Sequence, residues 1–124
     1  MLSASMFANE PTKVTVLAGD FLFREKDKAD FLYVLLSGEA RILVGQREVE
    51  KFGPGQVVGE MAMIASAPRS ASVQALKDCE FARIDEKRFQ FLVTETPGFA
   101  VAVMRIMAER LSGADRVIES RDEV

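Results

Sequence analysis

The 124-residue sequence contains no histidine, no tryptophan and a single cysteine, Cys79. Without histidine the chain has no imidazole general base and no Ser-His nucleophile pair. It also lacks the ligands of a His-containing zinc site, which one cysteine cannot replace, and that cysteine cannot form an internal disulfide. Carboxylates or lysines could still perform catalysis, but we expect a protein that is not an enzyme and that holds no metal or cofactor.

Long apolar runs and an excess of basic residues are also missing. No run approaches the roughly 20 apolar residues of a membrane span, and the N-terminal "MLSASMFANEPTK" lacks the basic region and apolar core of a secretory signal. Sixteen Lys and Arg stand against 19 Asp and Glu, a formal net charge of −3, which argues against a nucleic-acid-binding surface. We therefore expect a cytoplasmic protein that contacts neither nucleic acid nor the membrane interior.

Short apolar runs separated by glycine or polar turns fill residues 13–84, among them "VTVL", "FLYVLL", "ARILV" and "EFARI". Strands this short, with turns about every 8–12 residues, are typical of an antiparallel sandwich, jelly roll or barrel. After Ile84 the period changes: Asp85 is a candidate N-cap for a helix over 86–93, and Thr96-Pro97 opens a longer one. We predict a single domain over 1–124, with an N-terminal segment 1–12, a β region 13–84 and C-terminal helices 85–120.

The longer helix carries apolar residues at alternating steps of four and three, which is typical of a helix that packs lengthwise on another element. The residues of this seam are Ala100, Met104, Met107, Leu111, Ala114 and Ile118. Two interpretations remain open. The seam either covers the β domain of its own chain or forms the contact surface of a homodimer.

Residues 57–73, "VVGEMAMIASAPRSASV", look like protein interior but contain Glu60 and Arg69. "EMAMIA" is long enough for one or two helical turns after Gly59, and the proline of "SAPR" ends them. Free N–H groups at a helix start suit an anion, and an arginine can add a bidentate fork. A carboxylate only accepts hydrogen bonds, so Glu60 fits a ligand that places a hydroxyl beside its phosphate. The alternative is a Glu60–Arg69 salt bridge that pins a loop.

The segment "GEMAMIASAPRSASV" resembles the phosphate-binding cassette of the cyclic nucleotide-binding domain family, which includes catabolite activator-like transcription factors, cyclic nucleotide-gated channels and protein kinase regulatory subunits. "AGDFLF", "FLYVLLSGEARI" and "FGPGQVVGEM" resemble the family's first β-roll turn, long strand pair and approach to the cassette. The resemblance implies an antiparallel β-roll, a jelly-roll-like double-stranded β-helix. Within it, residues 57–73 would hold the short phosphate-binding helix, and the family's B and C helices would follow.

The resemblance also implies roles for individual residues. Arg69 would pair with the exocyclic oxygens of a 3′,5′-cyclic phosphate, and Glu60 would accept from the ribose 2′-OH. Arg110, on the last helix, would lie over the base. The remaining expected ligand-binding residues supply backbone N–H groups or apolar walls: Gly59, Met61, Ala62, Ser70, Ala71 and Val73.

The implied function is non-catalytic binding of a cyclic nucleotide, cAMP rather than cGMP, with repacking of the C-terminal helix as the signal to an unknown effector protein. There are two alternatives: a ligand-independent interaction module of the same fold, or a fragment of a cyclic nucleotide-gated channel or kinase. A metal-binding cupin shares the β-roll but needs several histidines. The chain departs from the family pattern at Lys26, where relatives usually have glycine, and at Val58, where an aromatic residue often precedes Gly-Glu. It also departs at Ala114 and Asp115, where transcription-factor relatives that read adenine carry hydroxyl side chains.

Overall fold

The computed structural model describes the backbone of residues 3–122 and the side chains of residues 3–111. A 3-10 helix over Ala4–Phe7 precedes the first strand. The strands are β1 (Lys13–Val16), β2 (Phe21–Phe23), β3 (Phe31–Ser37), β4 (Ala40–Val44), β5 (Arg47–Phe52), β6 (Val57–Val58), β7 (Ser72–Ala75) and β8 (Cys79–Asp85). The helices are α1 (Glu60–Ala65), α2 (Glu86–Glu95) and α3 (Pro97–Asp122).

The strands form two four-stranded antiparallel sheets, ordered β1-β8-β3-β6 and β2-β7-β4-β5. Each sheet combines strands from the start and the end of the β region, so the chain rolls back on itself between the two layers. Helix α1 connects β6 of the first sheet to β7 of the second. This arrangement, with helices after the last strand, confirms the predicted mainly β roll.

The apolar run "FLYVLL" forms β3, which separates two hydrophobic cores. Tyr33 and Leu35 face the core between the sheets, whereas Leu32 and Val34 face a second core against the helices. Successive side chains of a strand point to opposite faces, so a strand with a core on each side must be apolar at every position. The first sheet is therefore the central layer of the molecule.

Helices α2 and α3 begin where the sequence predicts, although α2 ends at Glu95 rather than at residue 93. The Asp85 carboxylate caps α2 by accepting from the Arg88 N–H at 2.7 Å. At the start of α3, the Phe99 ring lies 5.7 Å from the Phe7 ring and 5.6 Å from the Phe89 ring, measured between centroids. These aromatic contacts attach both helices and the N-terminal segment to the central sheet.

The buried face of α3 differs from the predicted seam. The residues that pack in the second core are Phe99, Val103, Ile106 and Met107. Within the seam, Met104 is 59% exposed and Leu111 is 49% exposed. The interpretation that the seam covers its own β domain is therefore wrong at these two positions, because the helix turns a face offset by one residue toward the sheet.

Two seam residues, Ala114 and Ile118, lie outside the described side chains. The helical backbone itself continues through Ser112 and Gly113.

Candidate functional site

Helix α1 lies between two left-handed residues, Gly59 with φ 81° and Ser66 with φ 53°. At the end of the helix the Ser66 N–H donates to the Met63 carbonyl at 3.3 Å, and the Ala67 N–H donates to the Ala62 carbonyl at 3.0 Å. Gly59 is required for a second reason as well, because a Cβ there would overlap the Arg69 guanidinium. The sequence-predicted helix and its break before Pro68 are both confirmed.

Arg69 is buried, with 4% of its surface exposed, and it bonds to main-chain oxygens rather than to a carboxylate. Nη1 donates to the Gly59 carbonyl at 2.8 Å and Nη2 to the Phe31 carbonyl at 2.5 Å. The guanidinium also stacks 4.1 Å above the centroid of the Phe23 ring. Burial lowers the pKa of Arg69 from its usual value, since water no longer solvates the charge. The alternative of a Glu60–Arg69 salt bridge is therefore wrong in this structure.

The turn between β2 and β3 fixes the main chain of Arg69 from both sides. The Lys26 N–H donates to the Arg69 carbonyl at 2.8 Å, and the Arg69 N–H donates to the Asp27 carbonyl at 2.9 Å. Lys26 has φ 73°, so it adopts the left-handed conformation for which relatives usually supply glycine. A lysine in this conformation carries local strain, which a glycine would avoid.

Glu60 is the first residue of α1 and is 1% exposed. Its Oε1 accepts from Arg110 Nη1 at 2.5 Å. Arg110 comes from α3, and its Nη2 donates to the Val57 carbonyl at 2.9 Å. Nη2 also lies 3.6 Å from Glu50 Oε2 on β5. Arg110 therefore points inward against Glu60, and the sequence did not predict this pair.

All nine sequence-predicted site residues meet at one cavity of about 90 Å³. The side chains or backbone that line it are Phe23, Ile42, Val58, Gly59, Glu60, Met61, Ala62, Arg69, Ser70, Ala71, Val73 and Arg110. Val58, the second departure from the family pattern, is buried and forms part of the wall.

Phe23 and Ile42 were not predicted to belong to the site. They are the register partners of Val73 on the two neighbouring strands of its sheet, so all three lie side by side in the cavity wall. Val73 is 50 residues from Phe23 and 31 residues from Ile42, and strand register over such separations leaves no mark in a single sequence, although each residue belongs to an apolar strand run.

Among the described side chains, the buried polar atoms without a hydrogen-bond partner are Glu60 Oε2 and Arg69 Nε. Both residues line this cavity. Larger clefts exist, such as one of about 430 Å³ lined by Lys26, Asp30, Met63 and Glu86, but they contain neither of these atoms. Burying a polar group without a partner is unfavourable by about 1–3 kcal/mol, so the two atoms mark the cavity as a site for a polar ligand.

The cyclic nucleotide-binding domain profile matches residues 5–96, well over half of the chain. The protein therefore belongs to the cyclic nucleotide-binding domain family. Among solved structures, the catabolite activator protein of Thermus thermophilus matches with a TM-score of 0.78 and 27% identity, over 87% of this chain and 53% of that one. The cGMP-bound form of the EAL enzyme Bd1971 matches with a TM-score of 0.64 and 28% identity, over 86% and 31% of the two chains.

Curated relatives are much longer than this chain. Lysophospholipase nte1 of Aspergillus fumigatus is 31% identical over 103 residues, which are 79% of this chain and 7% of the relative. A patatin-like phospholipase domain-containing protein of Caenorhabditis elegans, ZK370.4, is also 31% identical, over 83% of this chain and 8% of its own. The chain thus spans less than a tenth of the length of these relatives.

No single helix of the described residues is long and apolar enough to cross a membrane; only α2 combined with the 97–111 part of α3 reaches that length and composition, and the pair is bent by 118°.

Proposed function

We propose that the cavity binds a 3′,5′-cyclic nucleotide without performing chemistry on it, and that cAMP is preferred over cGMP. The observation that carries the proposal is the pair of buried, unpartnered atoms, Arg69 Nε and Glu60 Oε2, in the walls of one cavity. One is a donor on a cation and the other an acceptor on an anion. A cyclic phosphate next to a ribose hydroxyl supplies the matching group to each.

The charge around Arg69 supports an anionic ligand. Its hydrogen bonds go to the neutral carbonyls of Gly59 and Phe31, so its positive charge is not balanced by a bonded carboxylate. A buried charge is stable only when it is paired and hydrogen-bonded. A phosphate oxygen would provide both, and a charge-assisted bond of this kind is about twice as strong as a neutral one.

Glu60 restricts the class of anion. A bare phosphate beside its carboxylate would be repelled, whereas a ribose hydroxyl donates to it. Oε1 is already occupied by Arg110, which leaves Oε2 for that hydroxyl. The preference for cAMP rests on the family resemblance, and Bd1971 has been solved in both cAMP-bound and cGMP-bound forms. The choice of base therefore has to be decided by titration.

Calorimetric titration of the protein with cAMP, cGMP, 5′-AMP and inorganic phosphate tests the proposal. We expect saturable binding of cAMP, weaker binding of cGMP, and little or none of the other two. Preference for 5′-AMP or phosphate would refute the cyclic nucleotide site. Binding of none of the four would favour a ligand-independent interaction module.

We also infer that the outer face of α3 passes the signal to a partner. This face is formed by three exposed apolar residues, Val101, Met104 and Leu111, which are 45%, 59% and 49% exposed. A second copy of the chain, giving a homodimer, is the partner we propose first. Sedimentation velocity of the parent and of Met104→Glu tests this, with Val49→Glu, exposed to 52% on β5, as the matched control. A parent that sediments as a monomer with and without cAMP contradicts it.

The effector is a separate question, because this chain covers only a small part of its relatives. We propose a cytoplasmic domain whose effector is a lipid-hydrolysing unit, since the long relatives carry the names lysophospholipase and patatin-like phospholipase. The test is lysophospholipid hydrolysis by the protein as its own cell produces it, with and without cAMP. An unchanged hydrolysis rate at saturating cAMP, or no hydrolysis at all, contradicts this effector class.

A further inference from the structure

Strand β2 carries two phenylalanines, Phe21 and Phe23, that stack on arginines in different parts of the molecule. The guanidinium carbon of Arg24 lies 3.8 Å from the Phe21 ring centroid, and that of Arg69 lies 4.1 Å from the Phe23 ring centroid. At these distances a cation is attracted to the negative face of an aromatic ring. The first pair lines an outer cleft together with Gln74, whereas the second lines the cavity of the candidate site.

A β-bulge in β2 turns the two rings to opposite faces of the sheet. Phe21 lies opposite Gln74 of β7 and Phe23 lies opposite Val73, so two steps along β2 match one step along β7. In a regular strand, residues two apart share a face, and both rings would then lie on the outer face with Gln74. The bulge instead places Phe23 on the face of Val73, which lines the cavity. Bulges are over-represented next to active sites, where they re-aim a side chain.

The Arg69 guanidinium is oriented without an acidic partner. Among the side chains that the structure describes, no ion pair joins Arg69 to a carboxylate. Its Nη atoms donate to the carbonyls of Gly59 and Phe31, and its Nε has no partner. The nearer of two aromatic rings is that of Phe23, since the Tyr33 centroid lies 5.8 Å from the guanidinium carbon. The stacked Phe23 ring therefore fixes the plane of the guanidinium, which the two carbonyls contact only at its end.

On the basis of the proposed cyclic nucleotide site, we propose that Phe23 is a positioning residue for the ligand phosphate. Its ring holds the plane of the Arg69 guanidinium in the orientation that the phosphate needs. Attraction to the ring also offsets part of the cost of burying this charge before the ligand arrives. The phosphate then meets an arginine that is already ordered, and ordering a side chain during binding would weaken the affinity. The bulge in β2 is the backbone feature that brings the ring to this position.

The test compares Phe23→Leu with Phe21→Leu. Each variant removes a half-buried ring of β2 that is stacked on an arginine, but only the ring of Phe23 is stacked on Arg69. In calorimetric titration we expect Phe23→Leu to raise the Kd for cAMP by about fivefold to thirtyfold, the range for a desolvated contact between a cation and an aromatic ring. We expect Phe21→Leu to bind cAMP like the parent.

Two further measurements separate positioning from packing. A trifluorinated phenyl ring at position 23 keeps nearly the same shape but has a weaker negative face, so it should also raise the Kd, by less than Phe23→Leu. In the ligand-free protein, NMR should show faster exchange of the Arg69 Nε–H with water in Phe23→Leu and in the fluorinated protein than in the parent. The Arg69→Lys protein assigns this signal by its absence. Phe21→Leu should leave the exchange unchanged.

Each outcome decides the proposal. An unchanged Kd in Phe23→Leu, in a parent that does bind cAMP, overturns the role of Phe23 and leaves the nucleotide site intact. If Phe23→Leu raises the Kd but the fluorinated ring changes neither the Kd nor the exchange, the ring only fills space, which also overturns the proposal. The fluorinated protein decides the question if Phe23→Leu does not fold. A parent that binds neither cAMP nor cGMP removes the proposed function and this inference together.

Discussion

Arg69 and Arg110 enter the same cavity from different elements and are held in different ways. Arg69 is fixed by backbone carbonyls and by the Phe23 ring, whereas Arg110 donates to the buried Glu60 carboxylate and to the Val57 carbonyl. The first arginine keeps an unbalanced charge and is attached to the rigid roll. The second is neutralised and is attached to a helix. The charge of Arg69 is therefore available to an anion in the cavity, whereas the charge of Arg110 is already paired with Glu60.

The largest expected effect comes from changing the fixed arginine. Arg69→Ala should weaken cAMP binding by about 2–5 kcal/mol, as when one member of a buried charge pair is truncated. Arg69→Lys should also weaken binding, because lysine cannot reproduce the planar fork. Titration calorimetry on both variants measures this.

Arg83→Ala is the matched control for Arg69. Arg83 is likewise stacked on an aromatic ring, with its guanidinium 4.5 Å from the Phe31 centroid, but it does not line the cavity. Its variant should bind cAMP like the parent. An Arg69→Ala protein that stays folded and keeps its affinity would contradict the assignment of Arg69 to the phosphate.

The next effect concerns the carboxylate that both the ligand and Arg110 use. Glu60→Gln should remove most of the discrimination between cAMP and 2′-deoxy-cAMP, because a hydrogen bond to a charged group is worth about 1.5–3 kcal/mol. The measurement is the ratio of the two Kd values in the parent and in the variant. A general loss of stability would weaken both ligands alike and leave this ratio unchanged, so the ratio is its own control. If the parent already binds both ligands equally, Glu60 does not read the ribose hydroxyl.

A smaller effect should follow from crowding the fixed arginine. Gly59→Ala and Gly19→Ala both place a side chain at positive φ, 81° and 91° respectively. Each should lower the free energy of unfolding by about 1–2 kcal/mol for the left-handed conformation. A Cβ at Gly59 would also overlap Arg69, while at Gly19 it would meet nothing within 4 Å.

The two glycine variants should therefore differ in ligand binding. Only Gly59→Ala should raise the Kd for cAMP, because it displaces the Arg69 guanidinium. We expect a rise of about tenfold, which corresponds to a loss of about 1.4 kcal/mol in binding free energy. Urea unfolding and calorimetry on the pair measure the two effects separately. Equal affinities for the two variants would mean that Arg69 adjusts freely and is not rigidly held.

The smallest effect tests the main-chain support of Arg69. Lys26→Gly should raise the free energy of unfolding by about 0.5–1 kcal/mol, because glycine relieves the strain at φ 73° but adds freedom to the unfolded chain. The supporting bond comes from the Lys26 N–H, so cAMP affinity should not change. Lys28→Gly, in the same turn but without positive φ, should not be stabilised in urea unfolding. A Lys26→Gly variant with altered affinity would show that the lysine side chain itself contributes to the site.

Local signals in the sequence were sufficient for much of the architecture. Glycine and polar turns between short apolar runs predicted an antiparallel sandwich, jelly roll or barrel, and the family resemblance narrowed this to the β-roll. The N-caps predicted where α2 and α3 begin. The cassette pattern brought Gly59, Glu60 and Arg69 to one place because these residues are close in the chain. Short-range order of this kind depends on backbone preferences and on the alternation of apolar residues, which a single sequence displays.

Long-range contacts did not follow from the sequence in the same way. Phe23 and Ile42 reach the cavity through strand register with Val73. The inward face of α3 could not be read from its seam, because the helix has apolar residues on more than one side and its period fits two faces. The Glu60–Arg110 pair joins residues that are 50 positions apart.

The sequence by itself determined that this chain forms a β-roll with a cassette containing one acid and one base. The tertiary structure decided how those charges are partnered. In the folded chain Arg69 donates to backbone carbonyls, and Glu60 accepts from Arg110. The second contact forms because the packing of α3 on the central sheet places the Arg110 guanidinium beside Glu60. Local preferences fix which residues a segment presents, but only the packing of distant segments fixes what each buried charge meets.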